Sequence, residues 1–145
     1  MRELDEITVA IVDASVRIHR DLGPGLLESV YEAVLARALE LRGLDVERQK
    51  PIRFEYLEMV FEEGFRADLL VEGRVMVEVK SLERLAPVHG KQLLTYLKLT
   101  NVSVGLLINF GAATLREGLH RIVNGLPASA SPRLRVNQSA RDTDG

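Results

Sequence analysis

"RVMVEVKS", residues 74–81, is the stretch on which the fold turns. Val75, Val77 and Val79 alternate with Met76, Glu78 and Lys80, the period of a β-strand. Successive side chains point to opposite faces, so Glu78 and Lys80 share a face, ~6.6 Å apart along the strand. The valine face asks for burial. The other face carries a carboxylate and an ammonium side by side. A solvated outer face of an antiparallel strand would explain that mixture, and so would an active site.

The residues just before supply a partner strand. "FRADLLVEGRVMVEVKS" holds two β-patterned runs flanking Glu72–Gly73, which suits a tight hairpin. Asp68 lies in the first run, ten residues before Glu78, so the two acids can face each other across the turn. Further back, "VERQKPIRFEYLEMVF" reads as one or two strands, interrupted at Pro51 and turning near Glu62–Gly64. Residues 5–21 and 27–42 carry apolar residues at helical spacing. "GPG" at 23–25 separates them, and Gly43 closes the second helix. On the C-terminal side, 88–99 reads as a helix and the apolar run 102–110 as a strand buried on both faces. "REGLHRIVNG" reads as an edge strand or a helical turn, with the strand preferred. The pattern predicts an α/β fold: a mixed β-sheet flanked by helices, with hairpins giving antiparallel pairs and the 88–99 helix crossing to a parallel strand. One domain is expected over 1–126. Residues 127–145, polar and rich in Pro, Ser and Ala, are expected to form a flexible tail.

Composition narrows the function. The 145-residue chain has no cysteine, which removes disulfides, thiolate zinc sites and thiol nucleophiles and fits a cytoplasmic protein. No apolar run approaches the ~20 residues of a membrane span, and the N-terminal stretch has no cleavage-site pattern. The net charge of −2 argues against holding nucleic acid by bulk charge alone. The charge is uneven. Residues 1–72 hold 16 acids against 9 Lys and Arg, and residues 73–145 hold 5 against 10. The basic second half could favour a polyanion locally, or the halves simply neutralise each other.

By itself the Asp68, Glu78 and Lys80 spacing is a moderately specific pattern that surface hairpins also match, but it has a definite chemistry. Two carboxylates brought together repel, and one pKa rises unless a cation resolves the conflict. Mg²⁺ takes one or two carboxylates plus waters and phosphate oxygens at ~2.1 Å. A lysine beside such an ion can orient a water or stabilise charge on a phosphorane-like transition state. Glu28 and Tyr31 share a helix face, as do Gln92 and Tyr96. Tyr31 falls on the apolar stripe and reads as a core tyrosine with a bonded hydroxyl. His19, His89 and His120 have no metal-ligand spacing and read as surface or capping residues.

Asp68 with "EVK" at 78–80 resembles the PD-(D/E)XK nuclease superfamily. "GLLESVYE", with Gly25, Glu28 and Tyr31, resembles the GxxExxY family, a branch of it. The resemblance extends over "FRADLLVEG", "QLLTYLKLT" and "GLLINFG", roughly residues 7–124, with Ala67 standing where the superfamily's name puts a proline. It implies a restriction-endonuclease-like core. It implies Asp68, Glu78 and Glu28 as metal-binding acids for Mg²⁺ or Mn²⁺, Lys80 as the catalytic lysine, and Gln92 and Tyr96 as substrate-facing residues of a QxxxY motif. The expected activity is hydrolysis of nucleic-acid phosphodiesters, DNA or RNA. A nuclease-fold protein that binds nucleic acid or a protein partner without cleaving is the alternative. A homodimer or an unknown protein partner could supply the substrate affinity that an acidic chain lacks. If Glu78 and Lys80 share a face for chemistry, that face is expected to be a concave site partly covered by the 27–42 helix, with Glu28, Asp68, Glu78, Lys80 and Gln92 converging there.

Overall fold

The computed structural model describes residues 2–125, so the expected tail at 127–145 lies outside the described residues. The chain runs α1 (Leu4–Leu22), α2 (Glu28–Leu41), β1 (Val46–Tyr56), β2 (Met59–Val71), β3 (Val75–Lys80), α3 (Pro87–Thr100), β4 (Val104–Asn109), α4 (Leu115–Gly118) and β5 (Leu119–Val123). The strands form one sheet in sequence order. β3 and β4 are parallel, joined through α3, and the other neighbours are antiparallel. This is the mixed α/β sheet flanked by helices that the sequence pattern predicts. "REGLHRIVNG" turns out to be both things expected of it, a four-residue helical turn followed by edge strand β5.

Each face of the sheet has its own core. Val75, Val77 and Val79 pack with Leu69, Val71, Leu106 and Ile108 against Ile7 and Ile11 of α1 and Leu35 and Leu39 of α2. Met76 and Leu107 point the other way, against Leu93 and Leu97 of α3. All four helix leucines are fully buried, each contributing about 1.5–3 kcal/mol by leaving water. By strand alternation Glu78 lies on the Met76 face, the face that α3 covers. The sequence-based expectation has the 27–42 helix partly covering it; the body of α2 packs on the valine face instead, because its Leu35 and Leu39 need that core.

The β1–β2 hairpin differs from its sequence reading. β1 runs through Pro51, which pairs with Arg66, because β1 is the sheet edge and a missing N–H costs little there. The turn falls at Leu57–Glu58, between paired Tyr56 and Met59, not at Glu62–Gly64. Both turn residues adopt left-handed φ, +50° and +65°, as a tight two-residue hairpin demands. Gly64 serves packing instead. Ile52 pairs with Phe65 but Phe54 with Phe61, so β2 bulges there. A Cβ on Gly64 would lie 2.1 Å from the Phe54 ring.

Tyr31 is fully buried, stacked on Phe110 at 4.6 Å. Its hydroxyl donates to Gly23 O and accepts from Leu26 N–H, so it clamps the "GPG" loop. His89 accepts from Ala86 N–H at the start of α3, a capping role. His120 is exposed. His19 is neither exposed nor a cap: it is half-buried, with Nε2 2.9 Å from Ala112 O, and ties α1 to the loop after β4.

Candidate active site

β2 and β3 part company at one point. Their pairing runs from Val71↔Val75 to Leu69↔Val77 and stops. Beyond it β2 stays with β1, and β3 with β4 as far as Lys80↔Asn109. The fork opens at the next pair in register, Asp68 and Glu78. Without a backbone partner there, the Val79 N–H donates to Asp68 Oδ2 at 2.8 Å, and the Asp68 N–H approaches Glu78 Oε1 at 3.4 Å. The hairpin register read from the sequence is therefore the one that forms.

Glu78 is 6% exposed. Burial, then the charge of Asp68, pushes its carboxyl up to about 8, with the Lys80 ammonium partly offsetting them. Lys80 is half-buried two residues on. Tyr96 of α3 is half-buried, stacked on Phe65 at 3.8 Å, and its phenol is held above the usual range by burial and then by the Glu78 and Asp68 charges. Gln92, one turn earlier, is exposed.

Glu28 is placed differently. It is exposed at the start of α2, on the wall of a 760 Å³ cleft with Gly25, Ser81 and Glu83. Among the described residues, no three Asp, Glu, His or Cys side chains converge as a metal would need, so Glu28 is not brought together with Asp68 and Glu78. The acid of α2 that reaches the fork is Glu32, one turn later and 5% exposed. It accepts from Gln49 Nε2 at 2.6 Å and pairs with Arg48 at 3.1 Å, and Gln49 Nε2 also lies 3.3 Å from Asp68 Oδ1. Sequence reasoning missed Glu32 and Gln49. The available signal was a carboxylate inside the buried stripe of α2, beside Tyr31 and Leu35.

The wall behind Lys80 is held by Asn109, which is 1% exposed. Its Oδ1 accepts from Leu82 and Gly111 N–H, and its Nδ2 donates to Leu82 O. Ser81 donates to Leu26 O at 2.6 Å, tying the Lys80 strand end to the loop before α2.

A family model described as the PD-(D/E)XK nuclease superfamily matches residues 5–122. The chain belongs to the PD-(D/E)XK nuclease superfamily. Its five-stranded mixed sheet with flanking helices is consistent with the restriction-endonuclease-like fold of that superfamily. Membership suggests a nuclease and nucleic-acid binding, and nucleases of this superfamily generally use divalent metals. Among curated proteins none matches in sequence. One solved structure, "Crystal structure of SSO0001", is similar over 87% of this chain and 67% of that one, at 18% identity and a TM-score of 0.40, too loose to carry an argument. No helix among the described residues is long and apolar enough to cross a membrane.

The pair of acids fits a divalent ion. A buried glutamate with a raised pKa, opposed to an aspartate, is a donor set that a dication stabilises and that protons otherwise neutralise.

Proposed function

We propose that this chain is a Mg²⁺- or Mn²⁺-dependent nuclease that hydrolyses phosphodiester bonds of DNA or RNA. We place it in the GxxExxY branch, on Gly25, Glu28 and Tyr31, and in the cytoplasm. The observation that carries the reading is the fork, where Asp68 and Glu78 oppose each other with Lys80 two residues on.

Asp68 and Glu78 would hold the metal, which supplies Lewis acidity toward the phosphate and lowers the pKa of bound water. Glu78, whose carboxyl burial and the Asp68 charge hold above the usual range, would be ionised to hold the ion. Lys80 brings a cation to the phosphate and offsets charge growing on its oxygens. Glu28, on the cleft wall, acts through water at the edge of the site. Gln92 and Tyr96, one turn apart on α3, receive the substrate strand, with Tyr96 braced by Phe65.

The test is a cleavage panel of single- and double-stranded DNA and RNA with Mg²⁺, Mn²⁺ or chelator, beside Lys80→Ala. Metal-dependent cleavage by wild type alone supports the reading. Binding without cleavage in every metal condition overturns it in favour of a non-cleaving nuclease fold.

A further inference from the structure

Gln49 has the most unusual backbone near the fork. It lies within β1 yet has φ +49°, the left-handed region that L residues other than glycine rarely enter. The strand is not shifted by it. Arg48 still pairs with Leu69 and Lys50 with Ala67, so the register is kept across Gln49, opposite Asp68, while the buried face changes there: Leu69 packs on the α1 and α2 side of the sheet and Ala67 on the α3 side.

The consequence is visible in the side chains. Consecutive residues of a regular strand point to opposite faces. Arg48 and Gln49 instead reach the same carboxylate: Arg48 takes Glu32 Oε2 at 3.1 Å and Gln49 takes Glu32 Oε1 at 2.6 Å. The left-handed turn of the backbone brings both to one side. Gln49 Nε2 then has one hydrogen for Glu32 and a second for Asp68 Oδ1, 3.3 Å away. A primary amide is the group for this position, because one nitrogen supplies two donors. Asp68 Oδ2 is held from the other side by the Val79 N–H. The Asp68 carboxylate is thus gripped by one donor from each neighbouring strand.

A strained backbone in an otherwise regular strand persists only where its surroundings enforce it. Here the enforcing contact is buried Glu32, anchored on α2 and neutralised by Arg48. We propose that Gln49 is a positioning residue: with Glu32 and Arg48 behind it, it fixes the carboxylate of Asp68 in the orientation the active site uses. Its consequence for metal binding rests on the nuclease reading above. Its effect on Asp68 does not.

The experiment compares wild type with Gln49→Ala and Gln49→Gly. Glycine adopts φ +49° without strain, so Gln49→Gly should melt no lower than Gln49→Ala. Both lose the amide. In chelator, hydrogen exchange of the Val79 amide reports how well Asp68 is held. It should be about tenfold faster in both variants, while the Val77 and Ile108 amides keep their wild-type rates. Mn²⁺ titration by calorimetry should show weaker binding in both variants to the same degree, whatever their melting temperatures. If Val79 exchanges at the wild-type rate in Gln49→Gly, the positioning role is overturned, even where Mn²⁺ binds. If Val79 exchange rises in both but wild type binds no Mn²⁺, the positioning role stands and the metal-dependent reading fails. If Mn²⁺ affinity follows melting temperature, with Gln49→Gly recovering both, Gln49 is a stability residue only and the proposal fails.

Discussion

Asp68 and Glu78 oppose each other one pair beyond the last backbone pairing of β2 and β3, with the Val79 N–H bonded to Asp68 Oδ2 at 2.8 Å. An aspartate side chain has taken the place of a ladder carbonyl. The hairpin thus ends in two carboxylates rather than in more sheet, and the energetic conflict between them is what the site has to offer a cation.

That conflict sets a pH dependence. The native Glu78 carboxyl titrates at about 8, against ~4.3 when unfolded. Between those values the native state holds a proton that the unfolded state has released. Metal-free stability is therefore highest below the unfolded pKa and is lost as pH rises from there through 8, by on the order of 5 kcal/mol at full extent. Urea melts in chelator from pH 5 to 8.5 should show this fall, and Glu78→Gln should flatten it. An unchanged slope in Glu78→Gln would remove Glu78 as its source.

Millimolar Mn²⁺ should raise the melting temperature of wild type more than that of Asp68→Asn, because an ion that binds only the native state stabilises it by mass action. The shift should grow from pH 6 to pH 8, as Glu78 releases its proton more readily. Equal shifts in the two proteins would mean that Mn²⁺ binds elsewhere.

Lys80 and Arg84 separate a site cation from a nearby surface cation. Lys80→Ala removes the ammonium that offsets the Glu78 charge. Cleavage should be abolished, while calorimetry should find Mn²⁺ binding intact or tighter. Arg84 is exposed, and Arg84→Ala should change neither. Wild-type cleavage by Lys80→Ala would reduce the lysine to a strand-end charge.

Asn109→Ala should destabilise the protein by about 2–4 kcal/mol, since it strips buried partners from Leu82 N–H, Leu82 O and Gly111 N–H together. The loss is read from chemical denaturation. A change below about 0.5 kcal/mol would mean that water replaces the amide at no cost.

The turn at Leu57–Glu58 holds two non-glycine residues at left-handed φ. Leu57→Asn with Glu58→Gly, the pairing that suits this turn, should raise stability by about 1–2 kcal/mol. Unchanged melting would show that the tip is too mobile for its strain to count.

The strands around "RVMVEVKS" were legible because a side-chain period of two is written directly into residue order, as was the helical stripe of Leu35 and Leu39. The Asp68 and Glu78 pairing followed from the short loop at Glu72–Gly73, which leaves few registers open. The Leu57–Glu58 turn was not legible, because neither residue favours positive φ, and Gly64 drew the turn toward itself although Phe54 is what needs it. The sequence by itself determined the α/β class, the buried valine face and the two acids that meet across the hairpin, since each depends on residues close in the chain. Only the tertiary structure decided that α3 and not α2 covers the acid face, and that Glu32, not Glu28, joins the fork through Gln49. Those choices depend on how helices distant in sequence dock on the sheet and on one left-handed residue in β1. Neither leaves a period in the chain to read.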